Sequence, residues 1–236
     1  MVETAASLNF KCQACDVRDT AICGALKDDE LRELGKVTTE VSLRKAGTLF
    51  YEQDESTYLF NVITGVVCLS KLLVDGRRQI TGLLFPGDFL GLSVAGVYAY
   101  TAEALTDMTL CRFERTQLTR LLDRFPNLEH RLLELASNEL VQAQDHMVLL
   151  GRKTAVERVS FMLVKLSERI GRHDNGGCDL ELPMGRADLA DYLGLTTETV
   201  SRTITRLRND GLLETRGGRS VYLPDTEALA RQAEGY

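Results

Sequence analysis

The sequence predicts an α+β fold: an N-terminal antiparallel β-roll, a long dimerisation helix and a C-terminal winged helix-turn-helix. Three observations predict it. Between Val37 and Glu114 the chain breaks into short segments rich in β-branched and aromatic residues, spaced by glycine turns. From Leu133 to Leu150 apolar residues recur at heptad intervals. From Gly185 to Gly211 two short amphipathic helices flank a turn at Gly194, and a glycine-tipped hairpin follows.

Residues 1–27 form a cysteine-rich segment. The β-roll occupies residues 28–114. It opens with a short helix over 28–36, DDELRELGK, which Asp28 or Asp29 can cap and in which Leu31 and Leu34 share a face. The segments TLFYE, YLFNVITG, VVCLSKLLV, RRQITGLLF, FLGLSV and TLCRFE then read as strands. Gly47, Gly65, Asp75-Gly76 and Pro86-Gly87-Asp88 separate them, and Asp75-Gly76 between alternating runs is a hairpin signal. Many short strands of this kind point to an antiparallel roll or barrel.

The dimerisation helix region spans residues 115–151. Pro126 suits a first helical turn, where a missing N–H costs nothing. Leu133, Ala136, Leu140, Ala143, Met147 and Leu150 follow at intervals of 3, 4, 3, 4 and 3. The stripe is narrow and flanked by Glu134, Asn138, Glu139, Gln142 and Gln144. That pattern predicts a two-helix seam between copies of the chain, with the two alanines permitting close approach. Gly151 is expected to end the helix.

The DNA-binding domain takes residues 152–236. A helix over Ala155–Ile170 carries Val156, Val159, Leu163 and Leu166 on one face. A polar loop follows over Gly171–Gly177, then a short strand over Leu180–Leu182. The first helix of the helix-turn-helix carries Leu189, Ala190 and Leu193. The second starts at Thr197 and buries Val200, Ile204 and Leu207. Its other face exposes Glu198, Ser201, Arg202, Thr205, Arg206 and Arg208. A guanidinium donates two bonds to guanine, a carboxylate accepts from cytosine N4, and a serine contacts either base polarity. The segment Leu212–Leu223, with Gly217-Gly218 at its tip, completes a wing that brings Arg216 and Arg219 near phosphates. A protein-binding helical hairpin is the other reading of this segment.

Composition sets limits. The chain has 236 residues, 44% of them apolar, enough for a sizeable core. No uncharged apolar run reaches ~18 residues, so no transmembrane helix is expected. MVETAASLNFKC lacks the basic and apolar regions of a secretory signal. The expected location is cytoplasmic, with no membrane partner. The net charge is −6, yet residues 151–236 carry 13 basic and 13 acidic residues. A local basic face can still bind DNA, because screening limits distant charge to about 10 Å. No nucleophile–base pair stands out, so an enzyme is not expected.

Three of the six cysteines, Cys12, Cys15 and Cys23, fall within Lys11–Gly24. In a reducing cytosol such clusters are more often metal-binding or redox-active than disulfide-bonded. Cys111 alone reads as a core residue. Cys68 sits among apolar residues in a strand, and Cys178 lies in the polar loop without an evident partner. His130, His146 and His173 are isolated and read as surface residues.

The roll, the long helix and the winged helix-turn-helix together resemble the CRP/FNR family of bacterial transcription regulators over nearly the whole chain. The most specific motif is ETVSR, Glu198–Arg202, after YLGLT, which is similar to the recognition helix of the FNR branch. The resemblance implies that Glu198, Ser201 and Arg202 read a TTGAT-type half-site, repeated in inverted order for a second subunit about 34 Å away. Thr197, Arg206 and Arg219 join them as DNA-binding candidates. It also places a cyclic nucleotide pocket in the roll. The PGDFLGLS turn here has Leu92 and Ser93 where cAMP-binding members have a glutamate. VYAYTAEAL lacks the arginine that would hold the phosphate. The expectation is therefore no cAMP.

The C-x2-C-x7-C spacing resembles the FnrN/FnrL-type iron–sulfur oxygen sensors of the FNR branch, which use a fourth, distant cysteine. Cys111 stands at the matching place. The resemblance thus implies a 4Fe–4S cluster on Cys12, Cys15, Cys23 and Cys111, one thiolate per iron. It implies a homodimeric activator of low-oxygen genes, with double-stranded DNA and RNA polymerase as partners. Zinc on the same thiolates, or a dithiol–disulfide switch, with nitric oxide, redox state or a small molecule as the signal, is the alternative. A regulatory module that binds a cyclic nucleotide and no DNA is a third reading. Some FNR-branch sensors place an acidic residue in the dimer seam. Ala143 occupies that place here, so the cluster-free chain is expected to dimerise more readily than those sensors.

Overall fold

The computed structural model describes residues 12–93, 95–174 and 177–235. Lys11, at the edge of the cysteine-rich stretch, lies outside the described residues, as do the first ten residues and the tip of the predicted 171–177 loop. The chain forms two compact units. One takes the residues up to Lys71 together with Gly82–Gln142, and the other takes Leu72–Thr81 and the chain from Ala143 onward.

In the first unit a 3-10 turn over Ile22–Ala25 precedes α1, Asp28–Lys36. The cap of α1 differs from expectation. Lys27 is the N-cap, and Glu30 accepts a hydrogen bond from its backbone N–H at 2.9 Å. Asp28 and Asp29 instead lie in the first turn, where a negative charge faces the positive helix end.

Eight strands follow: β1 Thr38–Leu43, β2 Thr48–Phe50, β3 Tyr58–Thr64, β4 Val67–Leu72, β5 Arg78–Leu84, β6 Phe89–Leu90, β7 Thr101–Ala104 and β8 Met108–Glu114. They build two four-stranded sheets, ordered β1-β8-β3-β6 and β2-β7-β4-β5. Sequence reasoning did not single out β1 or β7. Inward residues alternate along β7 and β8, as period-two patterning requires. Both sheets feed one core that includes Phe50, Phe60, Val62, Leu69, Leu90 and Leu110. Gly76 turns the β4–β5 hairpin with φ +85°, a conformation glycine adopts without steric cost.

A second core lies on another face of the β1-β8-β3-β6 sheet. It joins Ile22 and Leu26 to Leu31 and Leu34 of α1, to Leu59, Phe89 and Phe113 of the strands, and to Leu118, Leu121 and Leu128. Leu118 and Leu121 belong to α2, Arg115–Arg124. Leu128 belongs to α3, the 27-residue helix Pro126–Arg152. Pro126 starts α3 as its fixed φ favours. Gly151 does not end it, since the helix continues through Arg152.

In the second unit α4 spans Ala155–Ile170, and Thr154 Oγ1 caps it by accepting from Glu157 N. Its buried face carries Val159, Met162, Leu163 and Leu166, while Val156 is half-buried. The segment expected as a polar loop is largely hairpin, formed by β9, Arg172–Asp174, and β10, Gly177–Glu181. Cys178 therefore lies buried in a strand and not in a loop. Helices α5, Arg186–Leu193, and α6, Thr197–Asn209, form the helix-turn-helix around Gly194, whose φ is +61°. Val200, Ile204 and Leu207 are buried as expected. The wing is β11, Glu214–Thr215, and β12, Ser220–Leu223, in a sheet ordered β11-β12-β10-β9. A last helix, α7, Thr226–Glu234, packs on α4 and was not anticipated.

Candidate metal centre and nucleic-acid interface

Three thiols pack on the margin of the second core, and a fourth, Cys15, lies near enough to influence them. Cys12, Cys23 and Cys111 all pack against it. Cys111 projects from β8, paired in register with Glu40 of β1 and Asn61 of β3. Asn61 Oδ1 accepts a hydrogen bond from Ile22 N at 3.3 Å, so the turn that carries Cys23 is pinned to the strand beside Cys111. The loop folds on itself through Arg18 N to Cys15 O at 3.0 Å and Ala21 N to Val17 O at 2.9 Å. Glycine is needed at 24, because a Cβ there would lie 2.7 Å from Arg18 O.

The thiols influence one another. Burial pushes the Cys111 thiol well up, and the charges of Cys12, Cys23 and Cys15 push it further. Burial, then Cys15 and Cys12, raises Cys23 to about 11. Burial and Cys15 raise Cys12, while the Arg18 guanidinium opposes the rise. A neutral thiol is thereby favoured, and only a cation that compensates the charge would hold four thiolates here. All six cysteines are free thiols. Among the described residues no three His, Cys, Asp or Glu side chains converge tightly enough to cage a single ion. A tetrahedral zinc site sets its sulfurs about 3.8 Å apart, given Zn–S distances near 2.3 Å. A 4Fe–4S cluster takes four thiolates, one per iron, so the same four residues are the candidates for either group.

The seam positions of α3 are largely open in the single chain. Leu133, Leu140 and Met147 are 64%, 58% and 63% exposed. Ala143 is exposed and Ala136 half-buried. Leu150 is half-buried, with its Cδ2 3.1 Å from where a Gly194 Cβ would lie. Val141 and Val148 widen the exposed apolar surface.

The DNA-binding candidates lie on the outer face of α6. Thr197, Glu198, Ser201, Arg202, Thr205, Arg206 and Arg208 are all exposed. Glu198 and Arg202 approach to 3.7 Å, and Ser201 Oγ donates to Thr197 O at 2.9 Å. The wing arginines are tied down. Arg216 pairs with Asp179 and lies 4.0 Å over the Tyr222 ring, and Arg219 Nη1 donates to Pro183 O at 3.3 Å.

Several long-range contacts escaped sequence reasoning. Arg115 donates to the carbonyls of Ser56 and Gly91, each at 2.6 Å, and of Ser93 at 3.4 Å. A cation therefore stands at the PGDFLGLS turn, though VYAYTAEAL has none, and its donors are spent on backbone. Beside it the Phe50 and Tyr98 rings stack at 3.6 Å. Arg131 donates to Thr20 O and Ala21 O in the cysteine loop. In the second unit the β4–β5 hairpin grips α5. Arg78 Nη1 lies 3.0 Å from Asp188 Oδ1 and 3.5 Å from Asp191 Oδ2. Gln79 Nε2 donates to Asp191 O at 2.7 Å. No local sequence pattern announces such pairs. His146 is also not a surface residue. It is buried against Tyr192 at 4.3 Å, and burial holds its imidazole below the usual range.

Comparison with known proteins agrees with this architecture. Residues 40–125 match the cyclic nucleotide-binding domain, and residues 157–232 match the Crp-like helix-turn-helix domain. The chain is 44% identical over 221 residues to the nitrogen fixation regulation protein FixK of Bradyrhizobium diazoefficiens, covering 93% of each. It is 36% identical over 227 residues to the transcriptional activator protein FnrL of Cereibacter sphaeroides, covering 94% of this chain and 92% of that one. Among solved structures, FixK2 from Bradyrhizobium japonicum superposes with a TM-score of 0.77 at 38% identity, covering 83% of this chain and 97% of that one. The structure thus carries a roll, a long helix and a winged helix-turn-helix in the order its relatives share, and the chain belongs to the CRP/FNR family of transcription regulators, in the FNR branch, and is not an enzyme.

Proposed function

We propose that this regulator is a cytoplasmic, homodimeric activator that senses oxygen through a 4Fe–4S cluster held by Cys12, Cys15, Cys23 and Cys111. The observation that supports the reading is that Cys12, Cys23 and Cys111 pack on the margin of one core beside Leu128 of α3, with Cys15 near enough to raise the Cys111 thiol. A 4Fe–4S cluster bound there supplies an oxygen-labile tie between the loop and β8. The protein's own residues do the rest. Asn61 and the Ile22 side chain seat the loop, and Arg18 offsets negative charge on the thiolates. Cys68 and Cys178 are buried core residues and are assigned no part in it.

With its loop seated, the dimer binds an inverted repeat of TTGAT type through Glu198, Ser201 and Arg202, and recruits RNA polymerase. Two relatives named as activators, FnrL and AadR, support the sign of regulation. Cyclic nucleotide is not the effector. Phe50 and Tyr98 stack their rings inside the roll, and Arg115, the cation at the PGDFLGLS turn, has its guanidinium engaged by carbonyls, which supports this reading. In the described residues no helix is long and apolar enough to cross a membrane.

An anaerobic visible spectrum with metal analysis tests the reading. Protein purified without air is expected to hold iron and to absorb broadly near ~400 nm, with bleaching in air. Cys23→Ser and Cys111→Ser should each lose the band, whereas Cys178→Ser should keep it. Stoichiometric zinc without iron rejects the cluster.

A further inference from the structure

We propose that Arg131 is the positioning residue that couples the cysteine loop to the dimer helix. Its guanidinium, 25% exposed, reaches from the second turn of α3 into the loop. Nη2 donates to Thr20 O at 2.7 Å and Nε to Ala21 O at 3.4 Å, three and two residues before Cys23. Nη1 pairs with Glu134 Oε2 at 3.0 Å, and Glu134 Oε1 also meets His130 at 3.3 Å. The arginine is therefore anchored on its own helix at one side and holds loop backbone at the other.

The placement decides what this clamp does. Leu128 of α3 and Ile22 of the loop are both fully buried in the second core. Leu132 and Leu135 pack against that core, while Leu133 and Ala136, one residue further along, belong to the seam face. A single helical turn thus touches the loop on one side and offers the seam on another. Carbonyls at Thr20 and Ala21 are available to Arg131 only while the loop is folded between Val17 and Gly24. When the loop opens, Arg131 loses two acceptors that water replaces at lower geometric cost to the helix, and the first turns of α3 lose their tether. Arg131 also borders an open cavity of about 380 Å³ lined by Asp19, Gly24, His130 and Glu134, so truncating it leaves no sealed void.

The inference rests on the cluster reading for the nature of the signal, but the clamp itself is a property of the chain. Hydrogen exchange on the full-length protein, anaerobic and air-exposed, tests it. In the wild type, air is expected to speed exchange at residues 17–25 and at 127–136 together. In Arg131→Ala the iron content and visible band should persist. Exchange at 17–25 should rise about tenfold or more in the anaerobic state, since the removed bonds were charge-assisted. The air-induced change at 127–136 should shrink severalfold. Arg131→Lys, with a single compact ammonium in place of a planar fork, should fall between the two. Glu134→Gln keeps both carbonyl bonds and should behave as wild type. Unchanged exchange in β4 and β7, at 67–70 and 101–104 of the same unit, shows that the fold is intact. Loop protection in Arg131→Ala equal to wild type overturns the proposal, as does an undiminished response of 127–136 to air. If the wild type holds no iron, the cluster reading fails alone. The clamp then still requires that exchange at both segments rise together in Arg131→Ala, and failure of that rise refutes it.

Discussion

Replacing Arg202 by alanine separates fold from recognition more cleanly than any other change on α6. The side chain is 72% exposed, and its contacts lie within its own helix, to Glu198 at 3.7 Å and to Thr199 Oγ1 at 3.5 Å. An exposed i,i+4 pair of this kind contributes about 0.3–0.5 kcal/mol. Unfolding measurements should therefore hardly distinguish the variant. On DNA the loss is larger, because a bidentate contact to guanine discriminates by about 1–3 kcal/mol. Each subunit supplies one Arg202, so an intact inverted repeat should lose about 2–6 kcal/mol, or roughly 30-fold to 20,000-fold in Kd. Titration of labelled duplexes at fixed salt measures this. A duplex with one half-site altered at the contacted base should show about half the free-energy difference. Equal losses on the repeat and on random DNA, with a salt slope reduced by about one per arginine, would show a phosphate contact and refute base reading.

Two further predictions concern α3. Leu140→Glu, at a position 58% exposed in the single chain, should leave the fold intact but break the dimer. It removes about 1.5–3 kcal/mol of apolar burial per subunit and sets two carboxylates face to face. Sedimentation should then find monomer where wild type, with or without cluster, is dimeric at micromolar concentration. A dimeric Leu140→Glu would place the interface elsewhere, and a monomeric cluster-free wild type would sink the expectation drawn from Ala143. Glu139→Gln should stabilise the protein at pH 7.5. Burial, and then Asp88, hold the Glu139 carboxyl above its usual range, so its contribution is present at low pH and is lost as pH rises through the folded pKa. The thermal midpoint should exceed that of wild type at pH 7.5, on a scale of about 2–4 °C per kcal/mol, and converge with it near pH 4. A lower midpoint at both pH values would show that the carboxylate is satisfied where it lies.

The parts legible in the sequence are those whose own periodicity decides their structure. α6 buries Val200, Ile204 and Leu207 at helical spacing and caps itself with Thr196, so its exposed face could be read residue by residue. β1 could not. Its sequence TTEVSL is mostly outward-facing, and what makes it a strand is its pairing along β8. β7, TAEA, has small side chains where β propensity gives no signal. α7 was legible but unread: Asp225 caps it by accepting from Ala228 N, and Leu229 and Ala233 recur four residues apart. Of the candidate metal site, the three N-terminal thiols announced themselves by clustering. Cys111 is 88 residues after Cys23, and only folding onto β8 brings it near them. Arg131 reaches Thr20 across 111 residues and Arg115 reaches Ser56 across 59, and no short window of sequence holds both ends of such a bond.

The acidic residues near the seam bear on how a signal from the loop can reach a second subunit. A switch driven by charge repulsion needs carboxylates that face one another across the dimer axis. Here Glu134 is turned to Arg131 and His130. Glu139 is half-buried where it feels Asp88 and Tyr100. Asp145 is exposed but lies outside the interval pattern that runs through Ala143 and Met147. The seam itself offers Leu133, Leu140 and Met147, which favour association whatever the state of the thiols. At Glu134, Glu139 and Asp145 repulsion therefore has no lever, whereas geometry has one in the first turns of α3. The same turns of α3 that carry Leu133 and Ala136 also carry Leu128, Arg131 and Leu132, which touch the core and the cysteine loop. Helices packed knob into hole shift register in discrete steps and do not drift apart. A loop that holds or releases the start of α3 would thus choose between two packings of one dimer, and the aim of two recognition helices, more readily than between dimer and monomer.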